Sequence, residues 1–169
     1  MIRVTVWNEN VHDRTDERVK AIYPGGLHGA IAEALGKDAR FTVRTATLDQ
    51  PEQGLPDEVL NSTDVLFWWG HCAHDQVEDA LVERIACRVR DGMGLVVLHS
   101  GHYSKVFRRL MGTECRSKWW EAGDHERIFT VLPGHPIAAG LPEYFELPQE
   151  ETYCEHFSIP STDNTMPAI

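Results

Sequence analysis

The sequence predicts an α/β domain: a doubly wound, mostly parallel sheet with helices on both faces. Two observations predict it. Short apolar runs of strand character alternate with stretches of helical spacing, an order that implies parallel strands joined through helices. The runs also end in polar residues just before the next helical stretch, as strands do at the carboxyl edge of an open α/β sheet.

Each element can be justified in turn. Ile2, Val4 and Val6 alternate with Arg3, Thr5 and Trp7, which predicts a first strand over residues 2–7. The polar string Asn8, Glu9, Asn10, Val11, His12, Asp13 follows it. Residues 14–25 read as polar and then turn-like. Leu27, Ile31, Ala34 and Leu35 have helical spacing, and Gly36 stops them. Phe41, Val43 and Thr45 alternate as a second strand. Residues 47–63 hold two prolines and read as a loop with one short helical turn. Residues 65–69 form a continuous apolar run, the third strand. Asp75 is the expected N-cap of a helix whose face is Val77, Leu81, Ile85 and Val89. A Gly-x-Gly turn then leads into Leu95, Val96, Val97 and Leu98, expected as a strand buried on both faces. A helix marked by Tyr103, Val106, Phe107 and Leu110 follows and stops at Gly112. Beyond Thr113 the pattern loosens, with short strands expected near residues 128–132 and 144–147.

Bulk properties narrow the function. A length of 169 residues suits a single domain over residues 1–169. The formal net charge of -10 argues against nucleic acid as a partner, which normally needs a basic stripe. No apolar run approaches the roughly 20 residues that span a bilayer, so no membrane partner is expected. The four cysteines show no Cys-x-x-Cys pair, which suits reduced thiols in a cytoplasmic protein. Cys87 is expected in the core. Cys72 and Cys154 lie in suspected site loops.

The chemistry is expected where the third and fourth strands end. Both run into His-x-x-His: His71 and His74 after one, His99 and His102 after the other. Under a parallel sheet all four reach one edge, and His28 arrives there with the first turn of its helix. Such a gathering exceeds what capping needs. It has three readings: a divalent metal centre of Zn or Mn held by His28, His71 and His99; a metal-free polar pocket; or structural histidines. Glu9, Glu151 or Glu155 could complete a ligand shell or move a proton. His12, His125, His135 and His156 are expected at the surface or in turns. Trp68 and Trp69 suit the core, whereas Trp119 and Trp120 suit the core or a pocket wall equally. Ser100 follows a strand and precedes a helix, but the Gly-x-Ser-x-Gly string of a nucleophile elbow is absent.

Four strings carry a further resemblance: Tyr23-Pro24-Gly25-Gly26-Leu27-His28; Trp68-Trp69-Gly70-His71-Cys72-Ala73-His74; Gly92 through Lys105; and Glu150-Glu151-Thr152-Tyr153-Cys154-Glu155. In these the chain resembles the ThuA-like trehalose-utilisation family. The resemblance implies a flavodoxin-like fold related to class I glutamine amidotransferases, and a bacterial role in using trehalose and related disaccharides. It implies a sugar or 3-keto-sugar as the small-molecule partner, handled by isomerisation or hydrolysis, with a homo-oligomer as one possible state. A carbohydrate-binding or regulatory protein without catalysis is the alternative. His99 and Ser100 stand where amidotransferase relatives carry a cysteine, so glutamine hydrolysis is not expected. With positions and resemblance combined, the catalytic candidates are Glu155, Glu151 and His102. The substrate-binding candidates are Asn8, Glu9, Tyr23, His74, Ser100 and Lys105. Family members run on past the equivalent of this chain's last residues, so the chain is expected to be a fragment of the family domain.

Overall fold

The computed structural model describes residues 1–154. The chain divides into two compact units, one over Met1–Gly112 and one from Thr113 onward. No composition shift marks that junction in the sequence.

The first unit is the expected parallel α/β sheet. Its strands are β1 (Ile2–Asn8), β2 (Phe41–Thr47), β3 (Val65–Trp69) and β4 (Gly94–Val97), in the order β2-β1-β3-β4. All three pairings are parallel, so every strand ends at one edge. Around them lie α1 (His12–Thr15), α2 (Glu17–Ile22), α3 (Gly26–Gly36), α4 (Asp57–Asn61), α5 (Asp79–Arg90) and α6 (Lys105–Met111). The main core covers one face of the sheet. Trp7 of β1 lies opposite Trp68 of β3 in register, and their rings stack 3.7 Å apart at 8°. Leu66 extends the layer along β3, and Leu81, Val82 and Ile85 of α5 join it with Val106 of α6. Nearly complete burial of two indoles supplies a large share of this core's hydrophobic stabilisation. α3 packs along β1 and β2.

Local departures from expectation have physical reasons. Residues 14–25 contain α2, which buries nothing and so leaves no amphipathic stripe to read; Asp16 caps it by accepting from the Arg18 N–H. Asp75 sits in a 3-10 turn, His74–Gln76, and the buried Val77 is extended, so α5 starts only at Asp79. The strand β4 is not buried on both faces. It ends the sheet order, and Val96 is 38% exposed, so only Leu95 and Val97 pack against the core. Cys87 is exposed rather than core, because Leu81, Val82, Ile85 and Ala86 form the inner face of α5.

The second unit holds a long antiparallel pair, β5 (Lys118–Phe129) and β6 (Tyr144–Cys154). The sequence suggested only short strands there. Register shifts between Trp120 and Asp124, and between Asp124 and Glu126, interrupt the side-chain alternation that would have revealed the full length. Trp119 and Trp120 are 60% and 44% exposed within β5, so core packing is not their role.

Candidate functional site

The carboxyl edge of the parallel sheet is built from the first residues beyond each strand. Glu9, one step past β1, is almost wholly buried. Its carboxylate accepts the backbone N–H groups of His71 (2.8 Å), Cys72 (2.8 Å) and Ala73 (3.0 Å), and the Cys72 thiol donates to it at 3.2 Å. Burial alone would raise the Glu9 pKa, but these donors together outweigh it and hold the group below the ordinary carboxylate value. Glu9 is therefore an anion that pins the turn after β3, and its lone pairs are engaged in doing so. The same arrangement pushes the Cys72 thiol up to about 11, through burial and then through Glu9. A thiol so protonated is a poor nucleophile at neutral pH.

On that pinned turn sit two imidazoles. The His71 ring lies 6.0 Å from Trp69 and nearly parallel to it, so Trp69 is a half-buried wall of the site rather than core filling. His12, expected at the surface, packs its ring 4.6 Å from His71. The sequence contained the signal, since His12 lies in the polar string directly after the first strand. His74 is partly buried, with Tyr103 6.0 Å away. Its pKa is lowered, first by burial and then by His71 and His102, against the opposing pull of Glu9. The two His-x-x-His turns therefore meet in space. No hydrogen-bond partner reaches its buried Nδ1 among the described residues.

The turn after β4 is a 3-10 segment, His99–Tyr103. His99 adopts φ 42°, a left-handed conformation that non-glycine residues seldom take and that recurs at functional turns. Ser100 is buried and donates its hydroxyl proton to the Gly70 carbonyl at 3.1 Å, tying the two turns together. That bond makes it a tether, not an activated nucleophile. Gly101 has no room for a side chain: a Cβ would come within 2.9 Å of Val97 Cγ1 and 3.2 Å of the Trp68 carbonyl. Lys105 donates to the Val77 carbonyl and the Asp79 carboxylate, both at 2.8 Å. It thereby fixes the start of α5.

A third group lies beyond β1. Asn8 is fully buried, and its Nδ2 donates to Asp13 (3.1 Å) and approaches His28 Nδ1 at 3.0 Å. The Asp13 carboxylate also accepts the Leu27 N–H at the start of α3. Asp13 was missed in the sequence, although it closes the same polar string. The His28 pKa is lowered, first by burial, against opposing pulls from Asp13 and Asp49. Tyr23 ends α2, and its carbonyl accepts from the Gly26 N–H at 2.8 Å, which sets the entry of α3. Beside these groups a cleft of about 180 Å³ is lined by Glu9, Val11, Arg14, Leu48, Asp49, Gln53 and Gln76. It is bounded by residues following β1, β2 and β3.

Among the described residues no group of three or more His, Cys, Asp or Glu side chains could hold an ion, so His28, His71 and His99 do not form a ligand set there. Glu151 lies on β6 in the second unit, next to Tyr153, whose phenol is pushed up to about 12 by burial and then by Glu151. Glu155 and His156 lie outside the described residues. His125 is exposed on β5, and His135 caps a turn by accepting from the Ile137 N–H at 3.2 Å.

Comparison with known proteins adds a lineage to this geometry. A family model described as ThuA, trehalose utilisation, matches residues 3–168. The crystal structure of a ThuA-like protein from Bacteroides uniformis aligns with a TM-score of 0.66 at 15% identity, over 90% of this chain and 60% of that one. That likeness carries the fold, and this chain spans about three-fifths of the neighbour's length. No curated protein matches the chain.

Proposed function

The chain belongs to the ThuA trehalose-utilisation family, and from that premise we propose that its parallel-sheet edge binds a sugar or 3-keto-sugar and acts on it as an isomerase or hydrolase. The observation that supports this reading is the meeting of the two His-x-x-His turns, with His12 and Tyr103 added to them. Uncharged imidazoles such as His74 can take a proton from a hydroxyl or give one to a carbonyl oxygen near neutral pH, and a half-buried aromatic such as Trp69 offers an apolar sugar face a surface. His102, on the turn after β4, belongs to this gathering as a proton-transfer candidate.

A metal-free pocket is favoured over a metal centre because, among the described residues, no three His, Cys, Asp or Glu side chains are grouped to hold an ion. The protein is proposed to work in the cytoplasm; among the described residues no helix is long and apolar enough to cross a membrane.

A second reading, a sugar-binding protein without turnover, is favoured by one observation. Glu9 and Ser100, the carboxylate and hydroxyl that could have done chemistry at this edge, are each committed to holding the turns. The test is a turnover assay on 3-keto-trehalose beside calorimetry with trehalose. Turnover lost in His74→Ala and His102→Ala supports the enzyme. Binding of either sugar without any turnover supports the second reading, and neither binding nor turnover sinks both.

A further inference from the structure

We infer that Asn8 locks His28 as the neutral Nε2–H tautomer, so that His28 is a dedicated hydrogen-bond donor to an acceptor oxygen of the ligand and not a metal ligand. Two fixed neighbours carry the inference. The Asn8 Oδ1 accepts the Asn10 backbone N–H at 2.7 Å, and a backbone N–H can only donate. This sets which end of the Asn8 amide is oxygen. The opposite end, Nδ2, then faces the Asp13 carboxylate and His28 Nδ1 as a donor to both. Turning the amide over would place NH₂ against N–H and oxygen against a carboxylate. Asp13 is held in turn by the Leu27 N–H, so neither neighbour can turn to suit another arrangement.

The consequence for His28 follows from imidazole chemistry. A ring whose Nδ1 accepts carries its proton on Nε2 when neutral. Nε2 makes no hydrogen bond among the described residues, so that proton is available to a ligand. Metal-bound histidines are normally oriented the other way, with the second nitrogen donating to a carboxylate or carbonyl. Gly26 belongs to the device: its φ is 74°, and a Cβ there would overlap the His28 ring, which folds back over the backbone. Burial, which keeps the ring uncharged, agrees with this assignment. A neutral N–H donor suits a carbonyl oxygen, which accepts only. That oxygen is identified as a keto-sugar's only if the proposed function holds.

The test is a long-range proton–nitrogen correlation spectrum of the histidine rings in the full chain. His28 is assigned through its ring-to-backbone connection and through loss of its signals in His28→Gln. The expected result has His28 Nδ1 in the pyridine-type range and Nε2 in the pyrrole-type range, unmoved by one equivalent of Zn²⁺. Pyrrole-type Nδ1, or a Zn²⁺-dependent shift at Nε2, would overturn the assignment. Addition of 3-keto-trehalose is then expected to shift the Nε2 signal. An Nε2–H tautomer that no sugar perturbs upholds the lock and the refusal of metal, and counts against the sugar reading of the edge instead.

Discussion

The turns after β3 and β4 carry the same His-x-x-His string but are supported in opposite ways. Residues 70–74 make little of their own support; a buried carboxylate reaches in from β1 and takes three consecutive N–H groups. Residues 98–103 support themselves, with Gly101 N–H donating to Leu98 and Ser104 N–H to Gly101, at the cost of a left-handed His99. One turn is fixed by a charge and the other by backbone shape. The sequence motif therefore reports where imidazoles gather, while the neighbours decide how rigidly each is held.

Five substitutions or conditions can break this contrast, and the largest effect belongs to Glu9. Glu9→Ala leaves three N–H donors without an acceptor, and unmet buried groups cost about 1–3 kcal/mol each with partial relief from water, so a loss of roughly 3–5 kcal/mol is expected in denaturant unfolding. A loss under about 1 kcal/mol would mean the turn holds itself. Gly101→Ala attacks the other turn through shape alone. Crowding against Val97 and the Trp68 carbonyl is expected to cost about 1–3 kcal/mol.

Ser100→Ala cuts the tether between the turns. A stability loss of about 1 kcal/mol is expected, with turnover retained; abolished turnover with intact folding would restore a serine nucleophile. Acid provides a gentler probe. His28 and His74 have lowered pKa values when folded, so the unfolded chain binds more protons as pH drops below about 6.5. Stability should fall through that window and level off below the folded values. Glu9, whose folded pKa is also lowered, stabilises above its unfolded pKa, and that contribution disappears only at still lower pH, as its folded value is crossed. Melting temperatures measured across pH 7.5 to 4.5 check the first loss, and one that is flat from 7.5 to 5 would contradict the burial of both rings. The smallest effect is chemical: Cys72 should resist alkylation until pH nears 11, and Glu9→Gln should bring the onset down.

How much of this was legible depends on what a residue's role leaves in the one-dimensional pattern. The parallel strands were visible because β3 is a continuous apolar run, Val65–Trp69. The gathering of imidazoles at one edge followed from that alternation. The part played by Glu9 was not visible, because a carboxylate that binds three amides 62 to 64 residues away leaves no local period. His12 and Asp13 were passed over although they share the string that contains Asn8 and Glu9. Reading the whole post-strand segment, rather than only its repeated motif, would have found them. In the second unit, exposed faces and register shifts hid most of β5 and β6.

Whether the imidazole edge holds a sugar without help from an ion is most directly measured by calorimetry of chelator-treated protein with 3-keto-trehalose, in the wild type and in His71→Ala. Saturable one-site binding, weakened at least tenfold by the substitution, is the expected result. No heat of binding, or binding that appears only after Zn²⁺ or Mn²⁺ is restored, would contradict it.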